Sequence, residues 1–126
     1  MLNVLLIDDE KSVQVIMSSF LQRYAQKHDK LIKNIALLDP VKGLYEATTN
    51  GNHYDLILLD VHLPGISGDE IYQNIMQKHP ELLDRVLFVT GYREDLDERF
   101  PDLDLNVLDK PFRYAQLEER IHAILS

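Results

Sequence analysis

Five short apolar runs, each the length of a strand and too short for a helix, limit what this chain can fold into more than any other feature. They are NVLLID (3–8), IALLD (35–39), DLILLD (55–60), VLFVT (86–90) and LNVL (105–108). Their length and β-branched content suit strands buried on both faces of a parallel sheet. Between them the apolar spacing changes to that of a helix. Val13, Ile16, Met17, Phe20, Leu21 and Tyr24 fall on one stripe, as do Tyr114, Leu117, Ile121, Ile124 and Leu125. Asp39-Pro40 reads as the cap and first residue of a second helix, closed by Gly51. Ile71, Tyr72 and Ile75 mark a third, which stops before Pro80, and only Leu96 and Phe100 mark a fourth over Glu94 to Phe100. Strand and helix alternating five times predict an α/β fold, its parallel sheet covered on both sides through right-handed crossovers.

In such open sheets, ligands bind beyond the carboxyl ends of the strands, where strand order reverses. The first strand ends in Asp8-Asp9, the third in Asp60 and the fourth in Thr90, and Lys110-Pro111 follows the fifth. Asp8, Asp9 and Glu10 side by side repel one another by roughly several kcal/mol at a protein surface, so the cluster asks for a cation. Magnesium takes oxygen ligands, accepts one or two carboxylates and keeps positions open for water and phosphate oxygens; manganese is the natural substitute. One carboxylate is then free to attack phosphorus and form an acyl phosphate while cations neutralise the equatorial oxygens. Asp60 is the candidate nucleophile, because it ends the most continuously apolar strand and is followed by Pro64, Gly65 and Gly68, which leave room above the carboxylate. Thr90 can donate to a phosphoryl oxygen and Lys110 can pair with another. Glu10 reads as charge at a helix start rather than as a ligand.

Composition narrows the function classes. At 126 residues the chain fits one domain, residues 1–126, with a proper core. A formal net charge of -8 disfavours nucleic acid or an anionic membrane as a direct ligand. Without cysteine there is neither disulfide nor thiolate site, and MLNVLLI is too short for a signal peptide or a membrane span. A cytoplasmic location is the expectation. Ser126 falls just after the fifth helix, which suits a stand-alone regulator or the front domain of a longer protein.

The segments IDDE, LLDVHLPGISG, FVTGY and LDKPF, in that order, resemble the signature segments of response-regulator receiver domains of two-component signalling. The resemblance runs from the first strand to the fifth helix. It implies a flavodoxin-like fold with strand order 2-1-3-4-5 and five helices, and a phosphoacceptor that is no enzyme beyond self-catalysed phosphotransfer onto Asp60. It implies magnesium held by Asp8, Asp9, Asp60 and the backbone carbonyl of His62, with Asp9 a direct ligand and Asp8 acting largely through water. Thr90 and Lys110 would hold the phosphoryl group, Gly91 would leave space for it, and the Lys110-Pro111 bond would be cis. The implied partners are a sensor histidine kinase or phosphotransfer protein as donor, and a downstream protein on the face of the fourth helix, fifth strand and fifth helix.

The chain departs from the pattern at Val107, where receivers usually carry the Tyr or Phe that moves inward on activation. Valine has no ring to swing and is stiff at its first torsion, so activation is expected to move the loop after Thr90, with Tyr92 as the aromatic that reports it. His62 and Tyr92 are bulky residues expected to overhang the site. His28, His53, His79 and His122 show no paired metal spacing, so His62 reads as a surface histidine rather than a zinc ligand. Two other readings compete. A flavin- or nucleotide-binding module would need a Gly- or Ser/Thr-rich phosphate loop after the first strand, where DDEKS offers acids. A receiver-shaped scaffold that is never phosphorylated is favoured by Val107 and opposed by Asp60, Thr90 and Lys110.

Overall fold

Strand and helix alternate as the apolar pattern requires. The computed structural model describes residues 1–49 and 51–126. Its elements are β1 (Leu2–Ile7), α1 (Lys11–Lys27), β2 (Ile32–Leu37), α2 (Pro40–Thr48), β3 (Leu56–Leu59), α3 (Gly68–Lys78), β4 (Val86–Thr90), α4 (Arg93–Arg99), β5 (Asn106–Asp109) and α5 (Tyr114–Leu125). The sheet is wholly parallel, in the order β2-β1-β3-β4-β5, so strand order reverses at β1 and β3.

The two faces of the sheet carry separate cores because successive strand residues point to opposite sides. Val4 and Leu6 of β1 join Leu58, Val89 and Leu108 against Met17 and Leu21 of α1 and Leu117 and Ile121 of α5. Leu5 and Ile7 join Ile57, Leu59, Phe88 and Val107 on the other face, beneath Ile71 and Ile75 of α3 and Leu96 of α4. All four residues of β3 are buried, as its unbroken apolar run implies.

Several boundaries differ from the sequence reading. β2 starts at Ile32 rather than Ile35, and Leu38 is exposed beyond its end. It is an edge strand, so Lys33 can face water and an apolar run understates its length. α2 ends at Thr48, where the Thr48 hydroxyl donates to the Leu44 carbonyl and the Thr49 amide to that of Tyr45. Gly51 belongs to the turn beyond it, at φ +91°. A 3-10 turn over Pro80–Arg85, unforeseen, buries Leu82 between α3 and β4. On the α1 stripe Met17, Leu21 and Tyr24 are buried, but Ile16 is 51% exposed. α4 forms one residue earlier than Glu94–Phe100, with Leu96 buried within it and Phe100 buried at its C-cap.

Candidate phosphoacceptor site

The parallel register delivers the polar strand ends to one edge of the sheet. The Asp60 amide donates to the Ile7 carbonyl at 3.1 Å and the Lys110 amide to the Thr90 carbonyl at 2.9 Å, so β3 is tied to β1 and β5 to β4 at their carboxyl ends. Asp8, Asp60 and Thr90 are the buried polar side chains of the described residues, at 2%, 5% and 0% exposure. Asp9 faces solvent. Asp8, Asp9 and Asp60 each offer a carboxylate oxygen within 4.8 Å of the others'. Oxygen donors of this type and spacing suit a hard divalent ion.

Lys110 reaches into this cluster. Its Nζ lies 3.0 Å from Asp8 Oδ2 and 3.6 Å from Asp60 Oδ2. Burial works against its charge, but the hydrogen bond to Asp8 and the charges of Asp60 and Asp8 outweigh that and raise its pKa. Asp60 is raised as well, chiefly by burial. Lys110 pulls it down, Asp8 pushes it up, and the amides of Val61 and His62 lower it. The Val61 amide donates to Asp60 Oδ1 at 2.8 Å. Asp8 Oδ1 accepts the Glu10 amide at 2.9 Å, which leaves Glu10 at the N-cap of α1, as expected. Lys110-Pro111 is cis.

Gly68 has a different role from the one its position suggested. A Cβ there would lie 1.9 Å from the Asp60 carbonyl oxygen, so the residue lets α3 begin directly against the Asp60 backbone rather than clearing space above its carboxylate. At Gly65 and Gly91, by contrast, nothing lies within 4 Å of a Cβ position.

His62 and Tyr92 do meet. Their rings stack at 3.8 Å between centroids and 22° between planes, and His62 Nε2 is 2.6 Å from Asp95 Oδ2. The Tyr92 amide donates to Thr90 Oγ1 at 2.9 Å. Neither the contact of Asp95 with His62 nor the pairing of Arg93 with Asp109 is expected from the sequence. Arg93 and Asp95 lie in a stretch rich in acids that reads as a solvated helix face, and no signal in that stretch distinguishes them.

The model of the response regulator receiver domain family matches residues 4–122. The chain belongs to this family. It is 31% identical to the transcriptional regulatory protein CiaR of Streptococcus pneumoniae over 128 aligned residues, covering 99% of this chain and 52% of that protein. It is 39% identical to the transcriptional activator protein IrlR of Burkholderia pseudomallei over 90 residues, 69% of this chain and 37% of that one. The chain thus spans about half or less of these relatives' length. Among solved structures, a Clostridium thermocellum receiver domain superposes with a TM-score of 0.82 at 21% identity, covering 99% of this chain and 94% of the other. The Thermotoga maritima response regulator TrrA, crystallised with magnesium and beryllofluoride, superposes with a TM-score of 0.77 at 26% identity, covering 99% and 100%. The fold is that of a receiver domain of two-component response regulators, and no helix of the described residues is long and apolar enough to cross a membrane.

Proposed function

We propose that residues 1–126 act as one receiver domain that accepts a phosphoryl group on Asp60 from a phosphohistidine donor, either a sensor histidine kinase or a phosphotransfer protein. The observation that carries this is the position of Lys110, whose ammonium stands between two buried carboxylates, one of them at the end of β3. An Asp60 oxygen attacks phosphorus, the P–N bond breaks, and the imidazole nitrogen leaves with the bond pair and regains its proton. Asp60 becomes an acyl phosphate, and no other chemistry is assigned to the chain.

Asp8, Asp9 and Asp60 would hold magnesium, joined by the backbone carbonyl of His62, whose imidazole is engaged by Asp95 and Tyr92. When bound, the ion supplies positive charge to phosphoryl oxygens, and manganese would serve in its place. Thr90 donates its hydroxyl to one phosphoryl oxygen and Lys110 pairs with another. The resulting change in partner affinity would be read by a downstream protein on the α4, β5 and α5 face. The acidic balance of these residues argues against nucleic acid or membrane as a direct ligand, and a cytoplasmic setting fits a phosphohistidine donor. Titration with beryllofluoride and millimolar magnesium tests the site. Amide shifts at Asp60, Thr90 and Lys110 in the wild type, absent in Asp60→Asn and without the metal, are expected. Equal shifts in Asp60→Asn would contradict the assignment.

A further inference from the structure

α4 is the shortest α-helix among the described residues. The helix is seven residues long and buries one of its own side chains, Leu96, with Phe100 buried just past its end. Its first turn is instead held by polar side chains on two sides. Toward β5, the Arg93 guanidinium forks onto Asp109, Nε to Oδ1 at 3.0 Å and Nη2 to Oδ2 at 2.9 Å, and Nη2 also reaches the Val107 carbonyl at 3.4 Å. The fork holds the Asp109 carboxyl below the usual range and raises Arg93, so both partners sit as ions. Toward the loop after β3, Asp95 takes His62 Nε2 while the His62 ring lies on Tyr92.

Both fastenings adjoin groups that would meet a phosphoryl group. Asp109 immediately precedes Lys110, and the Tyr92 amide is bonded to Thr90 Oγ1. Drawing Lys110 from Asp8 toward a phosphoryl oxygen pulls on Asp109. Moving the Thr90 hydroxyl toward Asp60 takes the acceptor away from Tyr92, the residue next to Arg93.

We propose that the Arg93–Asp109 fork and the His62–Asp95 contact form a two-sided latch that holds the start of α4 in its resting position, and that phosphorylation opens it. This rests on the reading of Asp60 as phosphoacceptor. A switch needs contacts that differ between its states. With valine at 107 no ring supplies them, and the latch does. Linkage then requires that weakening the latch tighten the site's hold on a phosphoryl mimic, because part of the opening is already done.

Beryllofluoride titrations at fixed magnesium on Arg93→Ala, Asp95→Ala and the exchange pair Arg93→Asp with Asp109→Arg test this, with amide hydrogen exchange of residues 93–99 in the free proteins. Each single variant is expected to bind roughly two- to fivefold more tightly, the range an exposed ion pair supports. Faster exchange in α4 should accompany it, and the exchange pair should return toward wild type. Arg93→Ala removes a positive charge, which alone would weaken binding of an anionic mimic, so tightening in that variant reads the latch and not the local potential. A wild type that binds beryllofluoride while Arg93→Ala binds it no more tightly overturns the latch alone, whatever Asp95→Ala does, because loss of that carboxylate favours an anion by charge alone. A wild type that takes none overturns the phosphoacceptor reading and the latch with it.

Discussion

Replacing Lys110 with alanine should destabilise the metal-free protein by an amount that grows with pH. The ammonium lies 3.0 Å from one carboxylate oxygen and 3.6 Å from another, on residues only 2% and 5% exposed. At an effective dielectric of about 20 each attraction is worth roughly 5 kcal/mol. Desolvating the ions offsets several kcal/mol of that, and the lysine side chain keeps 20% of its surface in water. The net loss should be about 2–3 kcal/mol near pH 8, a large share of the ~5–15 kcal/mol that holds a domain together. The sign follows from Asp60. Its folded pKa is already raised by burial, and Lys110 is the largest influence pulling it down. Without Lys110 the folded state binds protons still more tightly than the unfolded chain, so stability is retained below the unfolded carboxylate range and falls as pH rises through the raised folded value. Urea unfolding of wild type and Lys110→Ala at pH 4 and pH 8 in chelator provides the comparison. The difference should be smaller at the lower pH, where Asp60 takes up a proton, and full at the higher, and millimolar magnesium should recover part of it at pH 8. An equal difference at both pH values would refute the argument, because it would mean that the charge on Asp60 has no part in what Lys110 contributes.

Gly68→Ala should be among the most damaging single-atom additions, since its Cβ would meet the Asp60 carbonyl oxygen at 1.9 Å; a loss of about 1–3 kcal/mol by chemical denaturation, with reduced beryllofluoride binding, is expected. Glu118 accepts from Lys27, His28 and Tyr114, and the first two contacts chiefly hold its carboxyl down to about 2. A depressed folded pKa contributes stability above the unfolded value that is lost as pH falls through the folded one, so Glu118→Gln should lower the thermal midpoint at pH 6 and leave it level with wild type near pH 2. Ile16 is exposed on α1 and lines an apolar hollow with Val13, Pro111 and Phe112 beside Lys110. Ile16→Asp should slow transfer from a phosphohistidine protein at least severalfold while leaving acetyl phosphate reactivity near wild type, because only the protein donor needs a surface to rest on.

The strands β1, β3 and β4 were legible because their central residues are buried on both faces, so each residue of VLLI, LILL and VLFV had to be apolar. β2 was legible only in part, since an edge strand can carry Lys33 and Asn34. The cluster of Asp8, Asp9, Asp60, Thr90 and Lys110 could be read because every member stands at the end of a strand, and a parallel sheet brings strand ends together whatever the details of packing. The roles of Gly68, Arg93 and Asp95 could not. A close approach of α3 to the Asp60 backbone leaves a glycine that looks like any loop glycine. The partners of Arg93 and Asp95 lie on β5 and on the loop after β3, and their meeting depends on where α4 settles. The exposure of Ile16 has the same origin, because the stripe of α1 is wider than the sheet face that covers it.

Intact-mass measurement after incubation with acetyl phosphate and magnesium tests the phosphoacceptor assignment most directly. One added phosphoryl group is expected on the wild type, none on Asp60→Asn, none for either protein in chelator, and slower addition to Lys110→Ala. A phosphoryl group of equal yield on Asp60→Asn would contradict the assignment.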